Sequence, residues 1–224
     1  DSSYVTSDPK AGTAIASPII DEKGENSIIA APRANMCVTL DDVSAAEEQV
    51  ASADVLMIQF EIPVASSRKA AEIARKQEIV VHLDPAPVEH GFERFSAPID
   101  YIVPNEIEAH MLTGRMTPEE TGAVLLPETR RGVVVSLGEQ GAMAIDRAAL
   151  LRFPAYEVKV VDTTGAGDAF RAGLAVKIAE GVSLADAVRF ANACGALACT
   201  VMGAEPSMPR RDDVERLLTQ SERE

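Results

Sequence analysis

Basic residues are scarce in this 224-residue chain: 21 Lys+Arg stand against 35 Asp+Glu, leaving a formal net charge of −14. Nucleic-acid binding needs a basic footprint to displace condensed counterions, so that class of partner is excluded. A phosphate ligand is not, because one local site can be electropositive inside an acidic protein. Cysteine is sparse as well. Cys37, Cys194 and Cys199 form an odd set without CxxC spacing, which is neither a disulfide framework nor a zinc site. Such usage fits a reducing, cytoplasmic setting. No apolar run approaches the roughly 20 residues needed to span a bilayer. The opening residues Asp1 to Thr6 carry neither a basic n-region nor an apolar h-region. His82, His90 and His110 show no metal-ligand spacing, and there is no internal repeat or low-complexity tract. What the chain does have is apolar content, 46%, enough to build a sizeable core in one large domain or two small ones.

The first 36 residues differ from the rest. Ala14 to Ala16 and Ser27 to Ala30 read as two short strands, with the polar, Gly-containing segment Asp21 to Asn26 as the turn between them. A helix is expected from Leu40 or Asp41 to Ser52. Alternation follows: strands at Asp54–Phe60, Ile79–Asp84, Tyr101–Val103 and Gly132–Leu137, a further one at Ala142–Ile145, and helices at Val64–Lys76 and Glu106–Leu112, the latter stopped by Gly114. Strands that are apolar throughout, separated by helices, predict a mostly parallel sheet covered on both faces. In such sheets ligands sit beyond the C-terminal strand ends. The last third predicts helices from about Gly167 to Glu180, from Ser183 (with Asp186 three residues on) to about Thr200, and from near Asp212 to near Thr219.

The sharpest motif is Asp162-Thr163-Thr164-Gly165-Ala166-Gly167-Asp168-Ala169-Phe170, between an expected strand at Val158–Val161 and an apolar helical stripe. Glycines there let backbone approach a ligand closely, and the N–H groups of a helix N-terminus attract anions. Asp168, in the first turn, either caps the helix or faces the same anion. The pattern is not GxGxxG, since its sixth position is Phe170, and no GK[ST] follows to make a Walker A loop.

This motif resembles the C-terminal signature of the ribokinase-like (PfkB) carbohydrate kinase family, and the resemblance extends along the chain in family order. Gly12-Thr13-Ala14, Asp21 to Asn26 and Ala34-Asn35 are similar to the family's lid hairpin and its exit. Gln59-Phe60-Glu61 and Asp84-Pro85-Ala86-Pro87 resemble two of its strand ends. Pro104-Asn105-Glu106-Ile107-Glu108 matches its NxxE motif, Ser136 to Gly141 its nucleotide-side strand end, and Gly203 to Pro209 its ending. The implied organisation is a β lid and its return over residues 1–36 and an α/β core over 37–224. Two departures stand out. Arg171 occupies a position where the family usually has Asn or another small polar residue. The family's first quarter to third, with a sugar-binding Asp and a Gly-Gly-Asn loop, has no counterpart here. The chain does not open on Met, and it is expected to be a piece of a longer product and, alone, a poor kinase.

The resemblance implies ATP-dependent phosphorylation of a sugar primary hydroxyl, ribose first, with fructose, a deoxysugar or a nucleoside as alternatives. A non-catalytic nucleotide-binding remnant is the alternative from another class. Asp168 would be the base that takes the hydroxyl proton, and the N–H groups of Gly165, Ala166 and Gly167 the anion hole. Asn105 and Glu108, at i and i+3 on one face, would serve the nucleotide and, through water, Mg2+; an N-cap with a solvated Glu is the plainer alternative. Glu61 would accept a sugar hydroxyl, or simply be exposed. Ser136, Gly138 and Gly141 would line the nucleotide side. Asn192 would flank adenine, or be a satisfied interhelical amide beside the small-residue face Val188, Ala191, Gly195, Ala198. Asp162, Thr164, Ala198, Val201, Gly203 and Ser207 match a K+ site built largely from backbone carbonyls. Cys194 and Cys199 read as small helix-packing residues. A homodimer through the lid is the implied protein partner; no nucleic acid and no membrane are expected.

Overall fold

The computed structural model describes residues 2–20, 26–88 and 95–221. Its centre is a six-stranded sheet ordered β3-β4-β5-β6-β7-β8: β3 Val55–Ile58, β4 Val80–Leu83, β5 Tyr101–Ile102, β6 Gly132–Ser136, β7 Ala142–Asp146 and β8 Leu150–Phe153. The pairs from β3 to β6 are parallel, and β6–β7 and β7–β8 are antiparallel. Buried side chains alternate between the faces, as strand geometry requires. Val81, Leu83, Ile102, Val133 and Val135 enter one cluster, where Ala71, Ala74, Ala109 and Leu125 cover them from α3 Val64–Lys76, α4 Glu106–Thr113 and α5 Pro118–Leu125. Val80, Tyr101, Val103 and Val134 enter the other, under Phe170 and Leu174 of α6 Ala166–Ala179 and Ala187, Val188 and Ala191 of α7 Leu184–Ala198. The expected two-faced α/β architecture is therefore the observed one. A separate two-stranded hairpin, β1 Ile15–Ile20 with β2 Asn26–Ala31, stands apart from the sheet. The turn expected between them at Asp21 onward lies outside the described residues, as does His90.

The helices follow their local chemistry. Asn105 and Glu108 close a reciprocal capping box on α4, and Gly114 in the left-handed conformation ends it. Ser183 accepts from the Asp186 N–H at the start of α7. Helices α6 and α7 pack tightly because α6 presents Gly173: a Cβ there would lie 2.6 Å from Cys194 Sγ. Burial pushes the Cys194 thiol up to about 12, as suits a packing residue. The terminal helix α8 Arg211–Ser221 adds Val214, Leu217 and Leu218 against Phe190 and Ala193.

Two expectations need correction, and two elements are added. The helix expected over residues 40–52 is two, α1 Leu40–Ala45 and α2 Glu47–Ala51, interrupted at Ala46, whose φ of −92° and ψ of 9° leave the helical well. Val158–Val161 is not a strand. Val160 and Val161 are exposed, and the Val161 N–H donates to Cys199 O (2.8 Å), a loop carbonyl and not a neighbouring strand. Helix α5 and strand β8 were not expected at all.

Candidate active site

The strands β4, β5 and β6 end together, and the candidate residues collect there. Asp84 follows β4, and its N–H donates to Ile58 O of β3 (2.9 Å). Asn105 forms an isolated parallel bridge with Ser136, so the start of α4 abuts the end of β6. The N-terminal half of α6 reaches the same edge, because Arg171 Nε lies 3.3 Å from Val103 O at the end of β5.

Gly165 is the N-cap of α6, at φ +79°, and no side chain caps this helix. A Cβ at Gly165 would come within 3.1 Å of Ala204 Cα, so the turn needs glycine for its backbone conformation and for its neighbour. The Ala166 N–H donates within the turn to Thr163 O (3.2 Å), while the Gly167 N–H has no backbone partner among the described residues and lies at the positive end of the helix dipole, the physical make-up of an anion site. Asp168, one residue on, is exposed and, among the described residues, makes no cap hydrogen bond.

Beside it lies the most charged cluster of the site. Arg171, one turn along α6, has a side chain 12% exposed; its Nε is 3.0 Å from Asp84 Oδ2 and its Nη2 3.1 Å from Glu108 Oε2, and those two carboxylate side chains are each 15% exposed. Burial, opposed by Arg171 and aided by the charges of Glu108 and then Asp168, pushes the Asp84 carboxyl up to about 6. Under this cluster sits His82 of β4, wholly buried, with neither ring nitrogen partnered among the described residues. Burial first, and the Arg171 charge second, push its imidazole down to about 3, so it is neutral at physiological pH. Glu108 is therefore not a solvated carboxylate: its Oε2 accepts from Asn105 N–H (2.8 Å) and from Arg171. Among the described residues no group of three His, Cys, Asp or Glu would hold a metal ion unaided. The donor set fits a magnesium ion that keeps its waters and leans on substrate phosphates.

The nucleotide-side candidates are contiguous. Gly141 approaches the backbone after β8 so closely that a Cβ would sit 2.0 Å from Phe153 O. Asn192, buried on α7, donates its amide to Phe153 O (3.3 Å) and Pro154 O (3.0 Å), so the satisfied-amide alternative describes its contacts. A groove of about 540 Å³ runs past it, bordered by Pro154, Tyr156, Arg189 and Leu217. Gly138 lies in the short turn that joins β6 to β7.

Asp162 joins two distant loops. Its Oδ1 accepts from Thr164 N–H (2.9 Å) and its Oδ2 from Gly203 N–H (2.8 Å), and these bonds hold its carboxyl below the usual carboxylate range. Ser207 is buried, its hydroxyl donating to Ala204 O, and Ala198 O accepts from Val201 N–H (3.3 Å). Glu61 is exposed three residues beyond β3, and no contact joins it to Asp168. The residue that sequence reasoning left without a role is Arg171; its mismatch with the family pattern was the signal.

A mostly parallel α/β core with a glycine-capped helix turn over its strand ends and a detached β hairpin is the frame in which the comparisons place this chain. The pfkB family carbohydrate kinase model matches residues 1–211. Ribokinase of Haemophilus influenzae is 31% identical over 223 residues, covering 97% of this chain and 73% of that protein. Ribokinase of Bacillus subtilis is 34% identical, over 90% of this chain and 67% of that one. Among solved structures, ribokinase of Thermotoga maritima superposes with a TM-score of 0.83 at 32% identity, and that of Arabidopsis thaliana, complexed with ribose and ATP, with 0.82 at 33%; each comparison covers 93% of this chain and 70% of the other. The chain belongs to the pfkB family of carbohydrate kinases. It is a sugar kinase, a phosphotransferase. Among the described residues no helix is long and apolar enough to cross a membrane.

Proposed function

We propose that this kinase transfers the γ-phosphoryl group of ATP to the primary hydroxyl of ribose, giving ribose 5-phosphate and ADP. The observation that carries the reading is Asp168, exposed and uncommitted, next to the Gly165 turn, which no side chain caps, at the ends of β4 and β5. The similarity to ribokinases, one of them holding ribose and ATP, supports the choice of both substrates. In the transfer, the sugar oxygen bonds to the γ-phosphorus as the bond to the β–γ bridging oxygen breaks, and the hydroxyl proton goes to Asp168. The N–H groups of Gly165, Ala166 and Gly167 stabilise the charge on the transferred group. Glu61 accepts a sugar hydroxyl, and Asn105, Ser136, Gly138, Gly141 and Asn192 line the nucleotide side. Glu108, through water, and the nucleotide phosphates would hold magnesium, which neutralises charge on the β- and γ-phosphate oxygens. The loops joined by Asp162, with Thr164, Ala198, Val201, Gly203 and Ser207, would hold potassium, whose charge would favour an anion at the adjacent turn. The hairpin β1–β2 would close over the sugar and pair with a second copy.

The test is calorimetry with ATP and magnesium together with a ribose-phosphorylation assay. Asp168→Asn is expected to lower turnover about 10²–10⁴-fold while ATP affinity stays within a few-fold, because the amide keeps the shape but takes no proton. A variant that kept most of its rate would exclude Asp168 as the base. Fructose, deoxyribose and nucleosides in the same assay decide the sugar. A version extended upstream of Asp1 is expected to be the faster enzyme, since the resemblance implies sugar-orienting groups there; equal rates would refute that expectation.

A further inference from the structure

We propose that Arg171 is a phosphoryl-contact residue: its guanidinium, fixed by Asp84 and Glu108, offers its remaining nitrogen, Nη1, to the γ-phosphate of the bound nucleotide. The proposal rests on the phosphoryl-transfer reading above and names one more group that acts in it.

Position is the first argument. Arg171 lies three residues beyond Asp168 on α6, so the two side chains leave the helix on one side. The second is tethering. Nε binds Asp84 Oδ2 (3.0 Å) and Val103 O (3.3 Å), and Nη2 binds Glu108 Oε2 (3.1 Å), which takes up the freedom of a long side chain in advance of any ligand. The third is the direction of what is left. Nη1 stands 2.9 Å from where a Cβ on Gly167 would be, so it lies directly against the anion-binding turn, in space that exists because residue 167 has no side chain. Among the described residues Nη1 has no hydrogen-bond partner. A purely structural tie between α6, β4 and α4 would be complete with Nε and Nη2.

Charge points the same way. A γ-phosphate approaching the Gly165 turn meets Asp84, Glu108 and Asp168, three carboxylates within electrostatic reach of one another. Arg171 is the cation in their midst, and a guanidinium keeps its charge and presents planar donors that match phosphate oxygens. Lysine, a compact point charge on a flexible stem, lacks the planar fork that spaces these three contacts.

A contact to the γ-phosphate discriminates ATP from ADP, whereas a structural tie affects both alike. The experiment is therefore calorimetric titration of ATP and of ADP, with magnesium, into wild type, Arg171→Gln, Asp84→Asn and the double variant. Because Arg171→Gln alone leaves two half-buried carboxylates without their cation, the double variant measured against Asp84→Asn isolates the arginine in a relieved background. Loss of Arg171 is expected to weaken ATP about 10-fold and ADP less than two-fold in either background, and to lower turnover about 10²-fold with the ribose KM little changed. Equal losses for ATP and ADP, or no loss of either in the folded double variant, would overturn the proposal and leave Arg171 as a tie. Wild type that binds neither nucleotide would instead overturn the phosphoryl-transfer reading, and this proposal with it.

Discussion

Adding one methyl group at Gly165 perturbs the anion turn with two separable costs. At φ +79° an alanine sits in the left-handed region, which costs an L-residue about 1–2 kcal/mol. The new Cβ would also lie 3.0 Å from Met208 Cε and 3.1 Å from Ala204 Cα. The methionine end can swing away, but the Ala204 backbone must shift by a few tenths of an ångström, an overpacking cost of about 1–2 kcal/mol. Gly114 supplies the control. It too is left-handed, at φ +66°, but a Cβ there meets nothing within 4 Å, so Gly114→Ala carries the conformational cost alone. For a chain of this length about 1 kcal/mol moves Tm by roughly 2–4 °C. Gly165→Ala should therefore lower Tm by about 4–16 °C and Gly114→Ala by about 2–8 °C, half as much, read by thermal melts of both variants side by side. The Gly165 variant should also lose about 10-fold in turnover, because the N–H groups of its turn are displaced, whereas Gly114→Ala should not. Equal Tm losses would refute the crowding against residues 204–208. A Gly165 variant with normal turnover would refute the placement of the phosphoryl group at this turn.

Two further outcomes are expected. Asp84 titrates near 6 in the folded protein against 3.8 as its ordinary value, so the folded state holds this proton more tightly than the unfolded state does. Its contribution is most favourable at low pH and is lost as pH rises from about 4 to about 6, by about 3 kcal/mol in all. Urea midpoints of wild type and Asp84→Asn across pH 4 to 8 check this, and a difference between the two that is constant over the range would contradict it. Cys37 is exposed and Cys194 buried, with its thiol pushed up to about 12. Iodoacetamide at pH 7.5 should label Cys37 and spare Cys194 until denaturant is added, since the thiolate is the reactive form; mass spectrometry of native and unfolded samples reads it directly.

Much of the architecture is legible because its signals are local. The continuous apolar runs at Val80–Leu83 and Gly132–Ser136 announce buried parallel strands, and Val64–Lys76 has the helical bounds its pattern predicts. Helix α5 has local signals too, with Thr117 as N-cap and Pro118 at the first position, but it is only eight residues long and carries little apolar periodicity. Strand β8 is short and mostly exposed, so Leu150 to Arg152 carry little burial pattern. Val158–Val161 shows the opposite failure: it has strand composition, but composition cannot supply a pairing partner. In the site, Asp168 and the capping box of Asn105 and Glu108 can be read from spacing within one helix turn. The ion pairs of Arg171 with Asp84 and Glu108, and the bonds of Asp162 to the Gly203 loop, join residues far apart in sequence. Only the packed sheet and helices bring them within reach.

The Asp162 junction has a consequence for how the anion turn is kept in shape. Val161 and Asp162 N–H groups bind Cys199 O, and Asp162 Oδ2 binds Gly203 N–H, so the segments entering α6 and leaving α7 are fastened to each other. Everything between them is a helical hairpin, folded back on itself by the close approach of Gly173 to Cys194. Joining the ends of a flexible loop of that length would cost about 3 kcal/mol of chain entropy, but the packed hairpin has already brought its two ends together. The Gly165 turn, where the proposed transfer takes place, is thus the closing link of a ring whose stiffness comes from helix packing. Loosening that packing would leave every side chain of the site in place and still blur the position of its N–H groups.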